Sequence, residues 1–164
     1  MKKFNSRVMP HAMSRARGYA IACGLTFLIG VPSIGYAHGD LASPEGLISY
    51  SVQVGVDNTS NISQHYAINS AAGVVQVGNN NTADVTQVGY GNQAGIVQVG
   101  SNDSASVTQF GAGNGTFVGQ FASNQTANVD VAGFGNKVIV VQRTPGITTS
   151  VPVVGIGQTI LIVK

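Results

Sequence analysis

The side chains equipped for chemistry in this sequence are carboxamides, and they recur on a fixed beat. Gln76, Gln87, Gln98, Gln109 and Gln120 stand eleven residues apart. Two places before each is an apolar residue (Val74, Val85, Ile96, Val107, Val118), and two places before that a small one (Ala72, Ala83, Ala94, Ala105, Thr116). Asn81, Asn92, Asp103 and Asn114 follow the first four glutamines by five places. A carboxamide carries both donors and an acceptor, so stacked copies can bond one another in a ladder. Catalytic patterns are missing: the sequence has no Gly-x-Ser-x-Gly elbow, Walker loop, His-Glu-x-x-His motif or cysteine pair. No cofactor is expected, and an enzyme is the weakest reading.

The unit small-x-apolar-x-Gln-x-Gly-x-x-Asn-x needs a strand and a turn to position its amides. Alternate residues of a strand share a face, so Ala83, Val85 and Gln87 point one way while Asp84, Thr86 and Val88 point the other. Each unit supplies a strand of about six residues. Gly89, Gly91 and Asn92 then form the turn, since Gly and Asn tolerate positive φ. Stacking sets like above like at about 4.8 Å. An inward glutamine left unpaired would cost roughly 1–3 kcal/mol, whereas in a stack it bonds the glutamines above and below.

Two units make a repeat of 22 residues, and the array runs from Ser49. Successive repeats carry Gln53 and Gln64, Gln76 and Gln87, Gln98 and Gln109, Gln120 and Val131, then Gln142 and Val153, with Lys164 at the start of a sixth. The spacing of twelve between Gln64 and Gln76 places one extra residue in the turn around Ser70 to Gly73. Val151 to Gln158 matches Val129 to Asn136 place for place. The expected fold is all-β: a β-solenoid of five 22-residue strand-turn-strand repeats forming two stacked, parallel, in-register sheets. The first sheet takes the strands ending in Gln53, Gln76, Gln98, Gln120 and Gln142, and the second those ending in Gln64, Gln87 and Gln109. Their mixed core is too thin for a pocket. The self-assembly ladder comprises these eight glutamines together with Asn58, Asn69, Asn81, Asn92, Asn114 and Asn136.

Composition bounds the remainder. Only 9% of residues are charged, and the net charge of +2 comes from Lys2, Lys3, Arg7, Arg15 and Arg17 near the start. After them, three basic residues face six acidic ones, which argues against nucleic acid as a partner. Residues 1–37 read as a secretory signal peptide: a basic segment to Arg17, an apolar run from Ala20 to Ile29, and a small-residue cleavage site at Gly35-Tyr36-Ala37. The apolar run is shorter than the roughly 20 residues of a spanning helix. Cys23 lies within it and would be removed, leaving no cysteine for a disulfide. Residues 38–48 form a flexible leader, 49–143 the repeat solenoid, and 144–164 a divergent repeat or cap. His38 at a new N-terminus could bind copper through its own amine, but His65 is the only other histidine beyond the signal, so no metal site is expected.

At these residues the chain resembles the curlin family, the amyloid subunits of bacterial curli fibres. The resemblance is carried by Gln87-Val88-Gly89-Tyr90-Gly91-Asn92-Gln93-Ala94-Gly95-Ile96-Val97-Gln98 and again by Gln109-Phe110-Gly111-Ala112-Gly113-Asn114. It covers about Ser49 to Arg143 well and Thr144 to Lys164 weakly. It implies a secreted subunit that crosses the outer membrane through a dedicated pore, with a periplasmic chaperone and a companion curlin subunit as partners, and then polymerises with itself into biofilm fibres at the cell surface. The chain departs from the family's major-subunit pattern in its short leader and in Val131 and Val153, which stand where glutamine is expected. Thr144-Pro145-Gly146-Ile147 replaces an Asn turn, and Pro152 removes a strand donor. Val138 to Arg143 is similar to the divergent end of the minor, nucleating subunit. The same changes also fit a cap that limits growth, and a soluble capped solenoid binding a carbohydrate or surface is the alternative class.

The outward faces differ in character. The first sheet turns out Val52, Val75, Val97, Val99, Phe117, Phe121, Ile139 and Val141, with Tyr50, Leu161 and Val163. The second turns out chiefly polar residues such as Asn61, Ser63, Asp84, Thr86, Ser106, Thr108 and Asp130. An apolar strip about 25 Å tall over five layers is large enough to mark a surface for lateral bundling or adhesion.

Overall fold

The structure, a computed structural model, describes Ser33–Ala37 and residues 46–164. The basic and apolar parts of the expected signal peptide, together with Cys23, His38 and the leader up to residue 45, lie outside the described residues.

Alternating small, apolar and glutamine side chains form strands throughout. They are β1 (Ser33–Ala37), β2 (Ile48–Val54), β3 (Thr59–Ile68), β4 (Ala71–Asn79), β5 (Thr82–Tyr90), β6 (Gln93–Ser101), β7 (Ser104–Ala112), β8 (Gly115–Gln120), β9 (Thr126–Phe134), β10 (Lys137–Gln142), β11 (Thr148–Ile156) and β12 (Thr159–Val163). The chain winds as a β-solenoid of about five turns, with about 22 residues per turn. One sheet runs β1-β2-β4-β6-β8-β10-β12 and the other β11-β9-β7-β5-β3. From β2 onward every neighbouring pair is parallel. The expected sheet assignment and register hold: Gln76 pairs with Gln53 and Gln98, and Gln87 with Gln64 and Gln109. The last repeat also stacks as read, with Val151 on Val129 and Ile156 on Phe134.

The core between the sheets is a double column of small and branched side chains. Val74, Val85, Ile96, Val107, Val118, Val129, Val138 and Val140 are all buried, as are Ala72, Ala83, Ala105 and Ala127. Branched residues restrict χ1 and suit a pleated surface.

Three local features differ from the sequence reading. Most strands are longer than six residues: β4 to β7, β9 and β11 each have nine. The ladder continues through the first glycine of the turn, so Gly89 lies inside β5, paired with Gly111. Gly89 takes φ 117°, and a Cβ there would stand 2.0 Å from the Gly111 carbonyl oxygen. Only glycine lets two layers approach so closely.

The extra residue between Gln64 and Gln76 is not in the turn at Ser70 to Gly73. The register shifts between His65 and Ile68, where Tyr66 takes φ 48° and is 91% exposed. A bulge is absorbed there because β3 is the outer strand of its sheet and has one partner to accommodate instead of two.

Finally, Ser33–Ala37, which the sequence places at the end of the cleaved segment, pairs antiparallel with β2, Ser33 opposite Gln53 and Ala37 opposite Ser49.

Candidate functional site

The glutamines ending the strands converge on the interior. Gln76, Gln87, Gln98, Gln109, Gln120 and Gln142 have no solvent exposure, while Gln53 and Gln64 in the first turn are half-buried. In the first sheet each Nε2 donates to the Oε1 of the next layer: Gln53 to Gln76 at 2.7 Å, Gln76 to Gln98 and Gln98 to Gln120 at 2.8 Å, and Gln120 to Gln142 at 2.9 Å. The second sheet repeats this from Gln64 to Gln87 and from Gln87 to Gln109, both at 2.8 Å. The second hydrogen of each buried amide crosses to the opposite sheet, as in Gln76 to the Thr59 carbonyl and Gln98 to that of Thr82, both at 2.9 Å. A buried amide costs free energy unless paired, and these pair on both sides. Within the ladders every amide-to-amide donor points toward the C-terminal end of the stack. The Oε1 atoms of Gln53 and Gln64 therefore accept no bond from a described residue.

Both ladders end on a device the sequence reading missed. Where Val131 follows Gln109, the Gln109 amide donates to Thr116 Oγ1 at 2.9 Å; where the last layer follows Gln142, that amide donates to Thr149 Oγ1 at 2.8 Å. Each threonine replaces the alanine normally found seven places after a glutamine. The signal was present in Thr116, which the repeat admits only as another small residue.

A second pair of ladders runs through the turns. Asn58 Oδ1 accepts from the Asn81 N–H and Asn81 Oδ1 from that of Asp103, both at 3.1 Å, and Asp103 Oδ1 accepts from Gln125 N–H at 2.9 Å. In the other turns Ser70 Oγ accepts from Asn92, Asn92 Oδ1 from Asn114, Asn114 from Asn136, and Asn136 from Gln158. Each Asn Nδ2 also donates to a glycine carbonyl one layer on, from Asn92 to Gly111 at 3.0 Å and from Asn114 to Gly133 at 2.9 Å.

Of the expected turn residues, Asn58, Asn81, Asn92, Asn114 and Asn136 are in these ladders and Asn69 is not. The bulge in β3 moves the frame by one, so Ser70 takes the ladder place and Asn69 becomes an exposed turn residue at φ 53°, donating to Tyr90 Oη at 2.9 Å. Gln125, not anticipated from the sequence, stands in the same place, as does Gln158, which the sequence aligns with Asn136. Asp103 Oδ2 is buried without a partner, and burial pushes this carboxyl above its ordinary value, opposed by the Gln125 N–H.

Along the first-sheet flank Val99, Phe117 and Phe121 are exposed, and Val52, Val75, Val97, Ile139 and Val141 are partly covered. The rings of Tyr50 and Phe121 lie across Gly73 and Gly119. The second flank is not uniformly polar, since Phe110 and Val154 are exposed on it. Among the described residues no three His, Cys, Asp or Glu side chains come close enough to hold a metal ion. His65 is exposed, its Nε2 2.7 Å from Ser63 Oγ.

No curated protein and no solved structure matches the chain. Residues 78–111 match the family model described as the curlin associated repeat. That span holds Gln87, Gln98 and Gln109 with the turns around Asn81, Asn92 and Asp103, the most regular part of the ladder. Residues 78–111 are thus similar to the curlin associated repeat, and the stacked turns on both sides extend the same geometry.

Proposed function

We propose that the chain is a secreted, self-assembling subunit of extracellular, curli-like amyloid fibres that serve biofilm matrix, surface adhesion and cell aggregation. The observation that carries this reading is the state of the first turn. Gln53 and Gln64 begin two amide ladders with their accepting oxygens unmet among the described residues, and β3 has no described partner on its outer edge. A second copy of the chain, its C-terminal strands β11 and β12 laid parallel on the open edges, is the occupant that continues both sheets in register. Cleavage after Ala37 would remove β1 and open the outer edge of β2 as well. Secretion through a pore with a chaperone, and a companion curlin subunit, belong to this reading by way of the family.

A nucleating role is the second reading, favoured by the early end of the second-sheet ladder at Gln109, where Thr116 substitutes for the next layer. Thioflavin fluorescence of the purified processed chain, alone and with a companion subunit, tests both. Fibres giving cross-β diffraction are expected. Rapid unseeded growth that also accelerates the companion assigns the nucleating role, and slow growth after a lag assigns the bulk role. A chain that stays monomeric, or aggregates without cross-β order, refutes the proposal.

A further inference from the structure

Asp103 occupies a place built for an amide. In the equivalent turns the outer atom is a donor: Asn58 Nδ2 bonds the Gly78 carbonyl at 2.8 Å, Asn81 Nδ2 that of Gly100 at 3.1 Å, and Asn136 Nδ2 that of Gly155 at 2.9 Å. The geometry around the neighbouring glycines fixes which Asp103 oxygen takes this place. A Cβ on Gly78 would meet the Gly100 carbonyl oxygen and Asn81 Nδ2; a Cβ on Gly100 would meet the Ala122 carbonyl oxygen and Asp103 Oδ2. Oδ2 thus sits where the amide nitrogen belongs, turned toward the Ala122 carbonyl. Two acceptors facing each other cannot bond, and Oδ2 is buried with no partner. Oδ1 keeps the ladder's other function by accepting from Gln125 N–H.

We propose that Asp103 is a proton-operated rung of the turn ladder: taking up one proton on Oδ2 converts that atom to a donor toward the Ala122 carbonyl, joining the turn after β6 to the turn after β8. Losing the proton leaves a buried carboxylate against a carbonyl oxygen and loosens the same junction. The groups packed against it are uncharged: Asn81 from the layer before, Gln125 from the layer after, and the backbone of Gly100 and Ala122 at its side. Burial raises the carboxyl above its ordinary value of 3.8, with the Gln125 N–H opposing. A folded value above the unfolded one means that the folded chain binds more protons between the two. The stabilisation is therefore complete below the ordinary carboxylate value and is lost as pH rises through the raised folded value. The device is a property of the folded solenoid and does not depend on polymerisation.

Urea unfolding of the full chain, followed by far-ultraviolet circular dichroism from pH 3 to pH 7, tests this against Asp103→Asn. Asparagine supplies the donor at every pH. The variant should exceed the parent at pH 7 by about tenfold to a hundredfold in the folding equilibrium constant, the usual cost of a buried polar atom left unpaired. That gap should close as pH falls, the other carboxylates being common to both chains. A gap independent of pH, or a parent that gains on the variant as pH rises, overturns the proposal. Infrared difference spectra provide a second readout: a protonated-carboxyl band persisting in the parent above the ordinary carboxylate range, and missing from the variant, is required. Its absence overturns the assignment even if stability changes for another reason.

Discussion

Replacing Gln98 by leucine removes the central rung of the first-sheet ladder while nearly conserving volume. Gln98 Oε1 accepts from Gln76, and its Nε2 donates to Gln120 Oε1 and to the Thr82 carbonyl. The variant leaves one Gln76 N–H without an acceptor and takes a donor from each of the two oxygens, all within a core where Gln76, Gln98 and Gln120 have no exposure. At roughly 1–3 kcal/mol for a donor left unpaired and less for each oxygen, the gross loss is about 3–5 kcal/mol. Leucine recovers roughly 1–2 kcal/mol through its apolar surface, which gives a net destabilisation of about 1–4 kcal/mol. The control is Gln53→Leu. Gln53 is half-buried and, among the described residues, its side chain bonds Gln76 alone, so a single acceptor oxygen loses a donor and the cost stays at about 1 kcal/mol. Urea midpoints of the two variants, measured under one set of conditions, decide the matter. Equal penalties, or a Gln98→Leu chain as stable as the parent, would falsify the claim that interior amides are held by their neighbours in the stack.

Other outcomes follow from the close layers and the unequal flanks. Gly111→Ala puts a Cβ 2.0 Å from the Gly133 carbonyl oxygen at φ 116°, and the variant should fail to give a cooperative urea transition; Gly113→Ala, at φ 66° with nothing nearer than 3.9 Å, should cost only about 1 kcal/mol in the same assay. Thr116→Ala removes the acceptor 2.9 Å from Gln109 Nε2 but leaves the Gln93 carbonyl at 3.0 Å, so a loss of about 1 kcal/mol in unfolding free energy is expected. Replacing Val97 and Val99 together by serine should leave fibres forming while side-by-side bundles disappear from electron micrographs. Bundling at the parent's level would remove the first-sheet flank as the lateral contact.

The repeat was legible because its physics is local and periodic. A period of eleven with alternation inside it determines which residues face inward, and like-on-like stacking determines that glutamine meets glutamine; both are properties of order along the chain. The single irregularity shows where such reading stops. The sequence reveals one residue too many between Gln64 and Gln76, but whether it enters a turn or a strand depends on which strand has a free edge. The stack resolves this in favour of a bulge in β3, and the choice exchanges Asn69 for Ser70 in the turn ladder.

Sequence by itself therefore determined the two sheets, their register, the inward glutamines and the greasy first flank, since each follows from parity and period. Tertiary structure alone decided what closes each ladder and where it is flawed. Thr116 and Thr149 count as small residues until the opposite sheet brings them to a spare amide hydrogen, and Asp103 passes for an ordinary turn residue until the next layer sets a carbonyl before its buried oxygen. Hydrogen bonds between sheets and between layers depend on distances across the stack, and no spacing along the chain contains them.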